Sequence, residues 1–510
     1  MQLRDLSRVA ALVVAACGGL AACGGAGCGG TRAPTHPPDD SATGDSATGD
    51  SATGDSATGD AADDASGPPP DGGQGIGPLR VDPRNPRYFT DGSGKVVYLT
   101  GSHTWANLKD RTAPGAPGPT LFNYAAFLDF LIAHHHNFMR LWTWEQPHSA
   151  DDDTGALATF SPFPWLRTGP GTANDGKLRF DLDKLDPAYF TRMRDRVVAA
   201  RDRGIYVAVM LFDGWDLVNA YNGSSGGFPM GSGNNINNVA ATGPEVFAGT
   251  SSAVAARQEA YVRAVIDAVN DLDNVLYEIV NETDTNGVAW QYQMIDLVRT
   301  IERGKPKQHP VGMTSTYPGT DADLFASSAD WISPNDPFAP GDGRKVILND
   351  TDHSYGWRQL QGDGPTAQRA WAWKTLCAGA SPLFMDPYLQ AWTGRNDPVG
   401  GQPDPAWNTI RDAIGRTRLY ADRLDLERAV PSKTLCSTTY CLADPGREYL
   451  VYLPPGGGTF TLTVVAGTYR FEWYNPATGA VSDTGMITVG AERHTFTPPF
   501  AGDAVLLLQK

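Results

Sequence analysis

From Ile76 to about Pro431 short apolar runs alternate with longer helix-like segments. The short runs predict eight buried strands: Val97–Thr100, Phe138–Trp142, Tyr206–Phe212, Val275–Val280, Val311–Thr314, Trp331–Ser333, Val346–Leu348 and Leu383–Met385. Helices are predicted between many of them, among them Tyr124–Ala133, Pro187–Arg203, Ala253–Leu272 and Trp290–Arg303. Pro187 suits a first helical position, and Gly204 suits the residue just past a helix end. Eight strands with intervening crossovers predict an α/β fold, a closed (β/α)₈ TIM barrel over residues 76–431. Beyond Pro431 the pattern changes to short alternating strands. Turn signals at Gly456-Gly457-Gly458, Asn475-Pro476 and Thr478-Gly479 split them. Residues 432–510 are therefore expected to form a small all-β sandwich.

The first 75 residues carry neither pattern. Arg4 and Arg8 precede a short apolar stretch from Val9 to Ala22, an export signal rather than a membrane span. Leu20-Ala21-Ala22-Cys23 resembles the bacterial lipobox, in which the cysteine is lipidated after cleavage, and Val14-Ala15-Ala16-Cys17 is a weaker second match. The alternative is an ordinary cleaved signal with incidental cysteines. Residues 1–23 are read as the signal and 24–75 as a linker. SATGD repeats from Ser41 to Asp60, with one acid per repeat and nothing more apolar than alanine. Such a segment cannot bury a core and suits a disordered tether. The expectation is an exported lipoprotein, held at the bacterial cell surface or in the periplasm by its lipid anchor alone.

The formal net charge of −16 argues against a nucleic-acid partner, which needs a basic face. Thirteen Trp and eighteen Tyr are many for this length; aromatic faces suit sugar rings, though they also fill cores. No C-x-x-C pair is present, and neither a metal nor a cofactor is expected. Cys436 and Cys441 are close enough to bridge a small loop, but spacing does not decide it.

In such a barrel the chemistry sits at the C-terminal strand ends. The first strand leads into His103 and Trp105, and the second carries Arg140, Trp142 and Glu145. Asp213 and Trp215 follow the third, Asn281-Glu282 the fourth, Asp350, Asp352 and His353 the seventh, and Asp386 the eighth. Glycoside hydrolysis needs one neutral carboxyl to protonate the leaving oxygen and one ionised carboxylate to attack carbon or activate water. Carboxyls after strands four and seven face each other across a barrel mouth.

Val280-Asn281-Glu282 resembles the Asn-Glu signature of the large retaining glycosidase clan with barrel folds. The run from PLRVDPRNPRYFTDGSGKVVYLTGSHTW through NFMRLW, YVAVMLF, NVLYEIVNE and KVILNDTDH resembles the bacterial apiosidase-like glycoside hydrolases. WYNPATG and the closing PPFAGDAVLLL resemble a collagen-binding β domain fused behind such barrels. The resemblance implies a hydrolase of O-glycosidic bonds in an extracellular polysaccharide or oligosaccharide, with a carbohydrate substrate. Glu282 would be the acid/base. Asn281 would bind the neighbouring sugar hydroxyl, and Arg140 and His103 would support the strand-seven carboxylate. That clan places Glu after strand seven, and this chain has Asp350 and Asp352 instead. Asp can serve as a glycosidase nucleophile; Asp352 is favoured because His353 beside it could orient the site. The alternative is a non-catalytic carbohydrate-binding or adhesive surface protein, favoured by the missing Glu.

Other features are discounted. His134-His135-His136 precedes strand two, at the barrel's bottom and away from the chemistry. Gly223-Ser224-Ser225-Gly226-Gly227 matches G-x-S-x-G but follows no strand. Asp181-Leu182-Asp183 is expected to cap a helix. Without H-E-x-x-H a zincin-type collagenase has no support. The tail, with Trp473, Tyr474 and Pro476, is expected to support the barrel rather than bind collagen strongly.

Overall fold

Apolar runs that alternate inward and outward side chains need cover on both faces, and a closed barrel wrapped by helices supplies it. In the computed structural model eight parallel strands close such a barrel. They are β1 (Gly101–His103), β2 (Phe138–Leu141), β3 (Tyr206–Asp213), β4 (Val275–Asn281), β5 (Val311–Thr314), β6 (Trp331–Ser333), β7 (Val346–Asp350) and β8 (Ser381–Met385). The structure describes residues 77–510 except 106, 113–114, 120, 151–156, 221–225, 337–338, 340, 355–356 and 389–402. The export signal, Cys17, Cys23, the tether and most of the Gly223–Gly227 loop lie outside these residues.

On β3, Val207, Val209 and Leu211 join the core shared with the outer helices. Ala208 instead packs inward with Phe138, Leu276, Val346 and Leu348, forming the barrel floor. Met210, one inward step higher, meets Trp105, Trp142 and Met385. β1 can lie against β2 because residue 101 is glycine: a Cβ there would sit 1.8 Å from the Phe138 carbonyl oxygen.

The first barrel strand begins later than the expected Val97–Thr100. Val96–Val97 pairs antiparallel with Phe89–Thr90, which pairs with Arg80–Val81. The turn-rich DGSGK between them folds the valines back onto Phe89–Thr90, so one apolar run serves two sheets.

The outer helices are α1 (Tyr124–Ala133), α2 (Pro187–Arg201), α3 (Ser252–Val269), α4 (Val288–Glu302), α5 (Asp321–Ala326), α6 (Trp357–Cys377) and α7 (Asn408–Ala421). Asn123, Asp186 and Ser251 cap α1, α2 and α3 by accepting from backbone N–H groups. The expected capping role of Asp181-Leu182-Asp183 is corrected. These residues lie within a strand, Leu178–Leu185, and Asp181 and Asp183 instead accept from Asn237. No helix among the described residues is long and apolar enough to cross a membrane.

The C-terminal region is an antiparallel six-stranded sheet. Its order is Val430–Pro431, Cys441–Asp444, Glu448–Leu453, Ala504–Gln509, Gly467–Asn475, Ala480–Val489. A two-stranded sheet, Phe460–Thr463 with Arg493–Phe496, accompanies it. Strand alternation splits the large sheet's side chains between two cores. Tyr449, Val451, Trp473 and Leu506 pack with Phe460, Leu462 and Phe496 of the small sheet. Leu450, Tyr452, Tyr474 and Leu507 pack with Trp373 of α6 and Tyr420 of α7. Arg423 pairs with Glu472, and Arg369 with Asp503, at the edge of that second core. Trp473, Tyr474 and Pro476 are all buried. Cys436 and Cys441 are free thiols, buried in the tail core.

Candidate active site

Parallel register sets the polar strand ends side by side. Asp213 on β3 lies opposite Asn281 on β4, and Met385 on β8 lies opposite His103 on β1. The inward rows of β2, β4 and β7 each carry one charged residue at a similar depth: Arg140, Glu278 and Asp350. All three are fully buried. Arg140 Nε donates to Glu278 Oε2 at 2.8 Å and Nη2 donates to Oε1, while Nη1 donates to Asp350 Oδ2 at 2.5 Å. Burial disfavours the charge on Arg140, but Glu278 and Asp350 outweigh it and raise the pKa of the guanidinium. Burial likewise opposes the charge on Asp350, but His103 and Arg140 prevail and hold its carboxyl well below the usual range. At Glu278 burial wins, and the carboxyl rises to about 7 against the pull of Arg140.

His103 Nε2 lies 3.2 Å from Asp350 Oδ2, and its ring stacks on Trp142 with centroids 5.3 Å apart. Burial lowers its pKa against the pull of Asp350, and Nε2 is the ring nitrogen that faces that carboxylate. Asp350 Oδ1 also accepts from the Asp352 backbone N–H at 3.0 Å. Asp350 is thus a saturated carboxylate beneath the mouth.

Glu282 and Asp352 stand above it. Glu282 adopts a left-handed backbone, φ 46°, uncommon for a residue with a Cβ and frequent at functional positions. The residue is 8% exposed. Burial, then Asp352, then Asp213 push its pKa well above the ordinary value. Asp352 is also driven up, by burial and then by Asp350, with Arg140 opposing. One Asp352 oxygen, Oδ2, is buried and has no hydrogen-bond partner among the described residues.

Beside this pair a chain of hydrogen bonds fixes the second row. Asp213 Oδ2 accepts from Trp142 Nε1 at 2.9 Å, Oδ1 accepts from the Trp215 N–H at 3.2 Å, and the Asn281 amide also bonds Asp213. That leaves Asn281 Oδ1 to accept from His353 Nε2 at 3.0 Å. His353 Nδ1 then accepts from Ser333 Oγ at 2.8 Å. Burial, with Arg140 adding to it, lowers His353 to about 3, so the ring is neutral. Its Nε2 is 3.7 Å from Asp352 Oδ2, and its bonds run to Ser333 and Asn281 instead. Both ring nitrogens are thus engaged. Asp350, Asp352 and His353 lie within metal-ligating distance of one another, but His353 has no free lone pair to offer an ion.

Glu145 accepts from the Asp213 N–H at 3.1 Å, and Asp216 accepts from the Glu145 and Gln146 N–H groups at 2.7 and 2.9 Å. Burial lifts Glu145 to about 8 and lowers Lys109, which lies 3.4 Å over the Phe163 ring, to about 7. The structure therefore brings together His103, Arg140, Trp142, Glu145, Asp213, Asn281, Glu282, Asp350, Asp352 and His353. Trp105 lies with Trp142 in the apolar cluster beneath, and Trp215 reaches Tyr317. His103, Arg140, Trp142, Asp213 and Asn281 meet one another rather than solvent. Sequence reasoning missed Glu278, Asp216, Lys109 and Tyr317. A lone acid at an inward position of VLYEIV was the available signal for Glu278. His136, from the triple-histidine tract, bonds Ser102 Oγ and the Arg411 carbonyl at the barrel's other end.

Residues 148–330 match the model of a domain of unknown function, DUF6298, a span that holds Asp213, Asn281 and Glu282. No curated protein matches the chain. A solved structure titled as a glycoside hydrolase has a TM-score of 0.54 at 13% identity, over 85% of this chain and 97% of that one. A glycoside hydrolase family 5 protein from Bacteroides vulgatus ATCC 8482 has a TM-score of 0.54 at 13% identity, over 87% of this chain and 94% of that one. A second structure from that organism has a TM-score of 0.57 at 14% identity, over 86% and 83%. The chain thus has the TIM-barrel fold found among glycoside hydrolases. The apiosidase-like and collagen-binding resemblances rest on the sequence alone.

Proposed function

We propose that the protein hydrolyses O-glycosidic bonds of an extracellular polysaccharide or oligosaccharide with retention, Glu282 acting as acid/base and Asp352 as nucleophile. The observation that carries this is a pair of carboxyls at the barrel mouth, Glu282 after β4 and Asp352 after β7, above the buried Arg140–Asp350 ion pair. Two carboxyls so placed oppose one another's ionisation, as Asp352 does at Glu282. Burial raises both, with Asp352 adding to it at Glu282 and Asp350 adding to it at Asp352; the acid/base role is given to Glu282 because it stands in the Asn281-Glu282 pair that ends β4. Asp352 has a free oxygen with which to attack, whereas the oxygens of Asp350 accept from Arg140, His103 and the Asp352 backbone.

In the first step Glu282 protonates the leaving oxygen as Asp352 Oδ attacks the anomeric carbon; the glycosidic C–O bond breaks and a glycosyl ester forms. The ester removes the charge that raised Glu282, whose pKa then falls, fitting it to take a proton from water. Water attacks the same carbon and releases Asp352.

The test screens the protein against plant and microbial polysaccharides and follows the first-formed anomer by NMR. Glu282→Gln should slow natural substrates by orders of magnitude yet spare the first step for activated leaving groups. Asp352→Asn should abolish both. Wild-type turnover in Asp352→Asn with loss in Asp350→Asn would move the nucleophile, and an inverted product would remove retention. Polysaccharide binding without turnover would return the non-catalytic reading.

A further inference from the structure

Two loops grip the residue after Glu282. Residue 214 is glycine, and a Cβ there would lie 2.8 Å from the Thr283 backbone N and Cα, so the chain after β3 presses onto this segment. Trp215 follows immediately. From the other side β5 leads to Tyr317, whose N–H donates to the Thr283 carbonyl at 2.7 Å. Gly319 lets that loop fold back, since a Cβ there would lie 2.3 Å from Thr316 O. Thr283, the residue after Glu282, is therefore held by the two segments that carry these aromatic residues, and their rings meet edge to face with centroids 5.4 Å apart.

Their exposure sets them apart from the other mouth aromatics. Trp142 and Trp105 are 1% and 6% exposed and belong to the core, whereas Tyr317 is 52% exposed. An aromatic ring anchored by its backbone and by a neighbouring ring, yet open to solvent, leaves apolar area in water. The C–H face of a sugar ring is the complementary surface. Glu282 would deliver its proton to the leaving oxygen, and the segments carrying these rings adjoin the backbone just after it, which favours the leaving-group side for them. Arg140, the guanidinium of the site, is fully engaged by Glu278 and Asp350, so an acidic sugar finds no counter-charge in it.

We propose that Tyr317, steadied by Trp215, is the platform for a neutral sugar unit on the leaving-group side of the scissile bond. This rests on Glu282 being the acid. The test uses the full chain carrying Glu282→Gln, run by affinity electrophoresis in gels containing galactomannan, arabinoxylan, hydroxyethylcellulose or polygalacturonan. At least one neutral polymer should retard it and polygalacturonan should not. Adding Tyr317→Ala should weaken the retardation about five- to tenfold, and Tyr317→Phe should restore it. With Glu282 intact, Tyr317→Ala should lower kcat/KM on the neutral polymer by a similar factor. It should leave turnover of the matching glycosyl fluoride, which has no sugar on that side, unchanged. Equal retardation with Tyr317→Ala, no retardation by any neutral polymer, or a parallel loss on the glycosyl fluoride overturns the platform and leaves the carboxyl pair standing. Tyr317-dependent retardation by a wild-type protein that cleaves nothing sinks the hydrolase reading instead.

Discussion

Replacing Arg140 by methionine should destabilise the protein by an amount that depends on pH. The guanidinium is the shared partner of Glu278 and Asp350, and all three side chains are shut off from water. Methionine has similar length and no charge, so the variant keeps much of the volume and loses the counter-charge. Breaking a buried pair in this way costs about 3–5 kcal/mol. In the native protein Asp350 is held below its unfolded pKa, so its contribution is full above about pH 4 and is lost as pH falls through the depressed value. In the variant His103 and the Asp352 N–H still act on Asp350 but the guanidinium no longer does, so burial weighs more heavily and its pKa rises from the native value. The stability it gives above about pH 4 is reduced accordingly, by about 1.4 kcal/mol for each unit by which its pKa rises. Glu278 adds less to the difference, because burial already lifts it to about 7 in the native protein. Urea unfolding followed by tryptophan fluorescence should give a gap near 3–5 kcal/mol at pH 7.5 that shrinks markedly by pH 4.5. A gap under about 1 kcal/mol at pH 7.5, or one that stays constant between the two pH values, would refute the reasoning.

Trp373→Ala should cost about 3–5 kcal/mol, since the ring is fully buried between α6, Tyr420 of α7 and Tyr452 and Tyr474 of the tail sheet. Limited proteolysis should then cut near Val430 before the barrel melts; a variant that resists cleavage like the wild type would show the two cores to be independent. We also propose, from Leu20-Ala21-Ala22-Cys23, that Cys23 carries a lipid. Cys23→Ala should shift the protein out of the membrane fraction, and continued incorporation of labelled fatty acid would locate the site elsewhere.

The barrel was legible because β3, β4 and β7 are long or nearly continuous apolar runs that end in polar residues. β1 was misplaced because apolar content does not distinguish a strand paired with Phe89–Thr90 from one paired with β2. The strand-end residues could be named from the sequence, and the resemblance implied that Arg140 and His103 support a strand-seven carboxylate; the pairing of Arg140 with Glu278 had no such signal. Arg140 reaches Asp350 and Glu278 from three strands spread over more than 200 positions, and only the closed barrel sets them at one depth. Asp352 was favoured for its neighbour His353, yet that ring bonds Ser333 and Asn281; the unpartnered Asp352 oxygen is a different support for the same residue. Tyr317 had no sequence signal, because its exposure depends on where the loop after β5 folds back.

A sheet with apolar residues on both alternating rows has consequences for inheritance. Most β domains can be copied from one gene to another because their outer face is already wettable. Residues 430–510 could not travel so freely: Leu450, Tyr452, Val505 and Leu507 would arrive in a new host protein facing water. Recombination would have to carry α6 and α7 along, and those helices are themselves part of the barrel's outer ring. The junction near Val430 looks like a boundary in sequence, yet lineages could cross it only by changing both sides together.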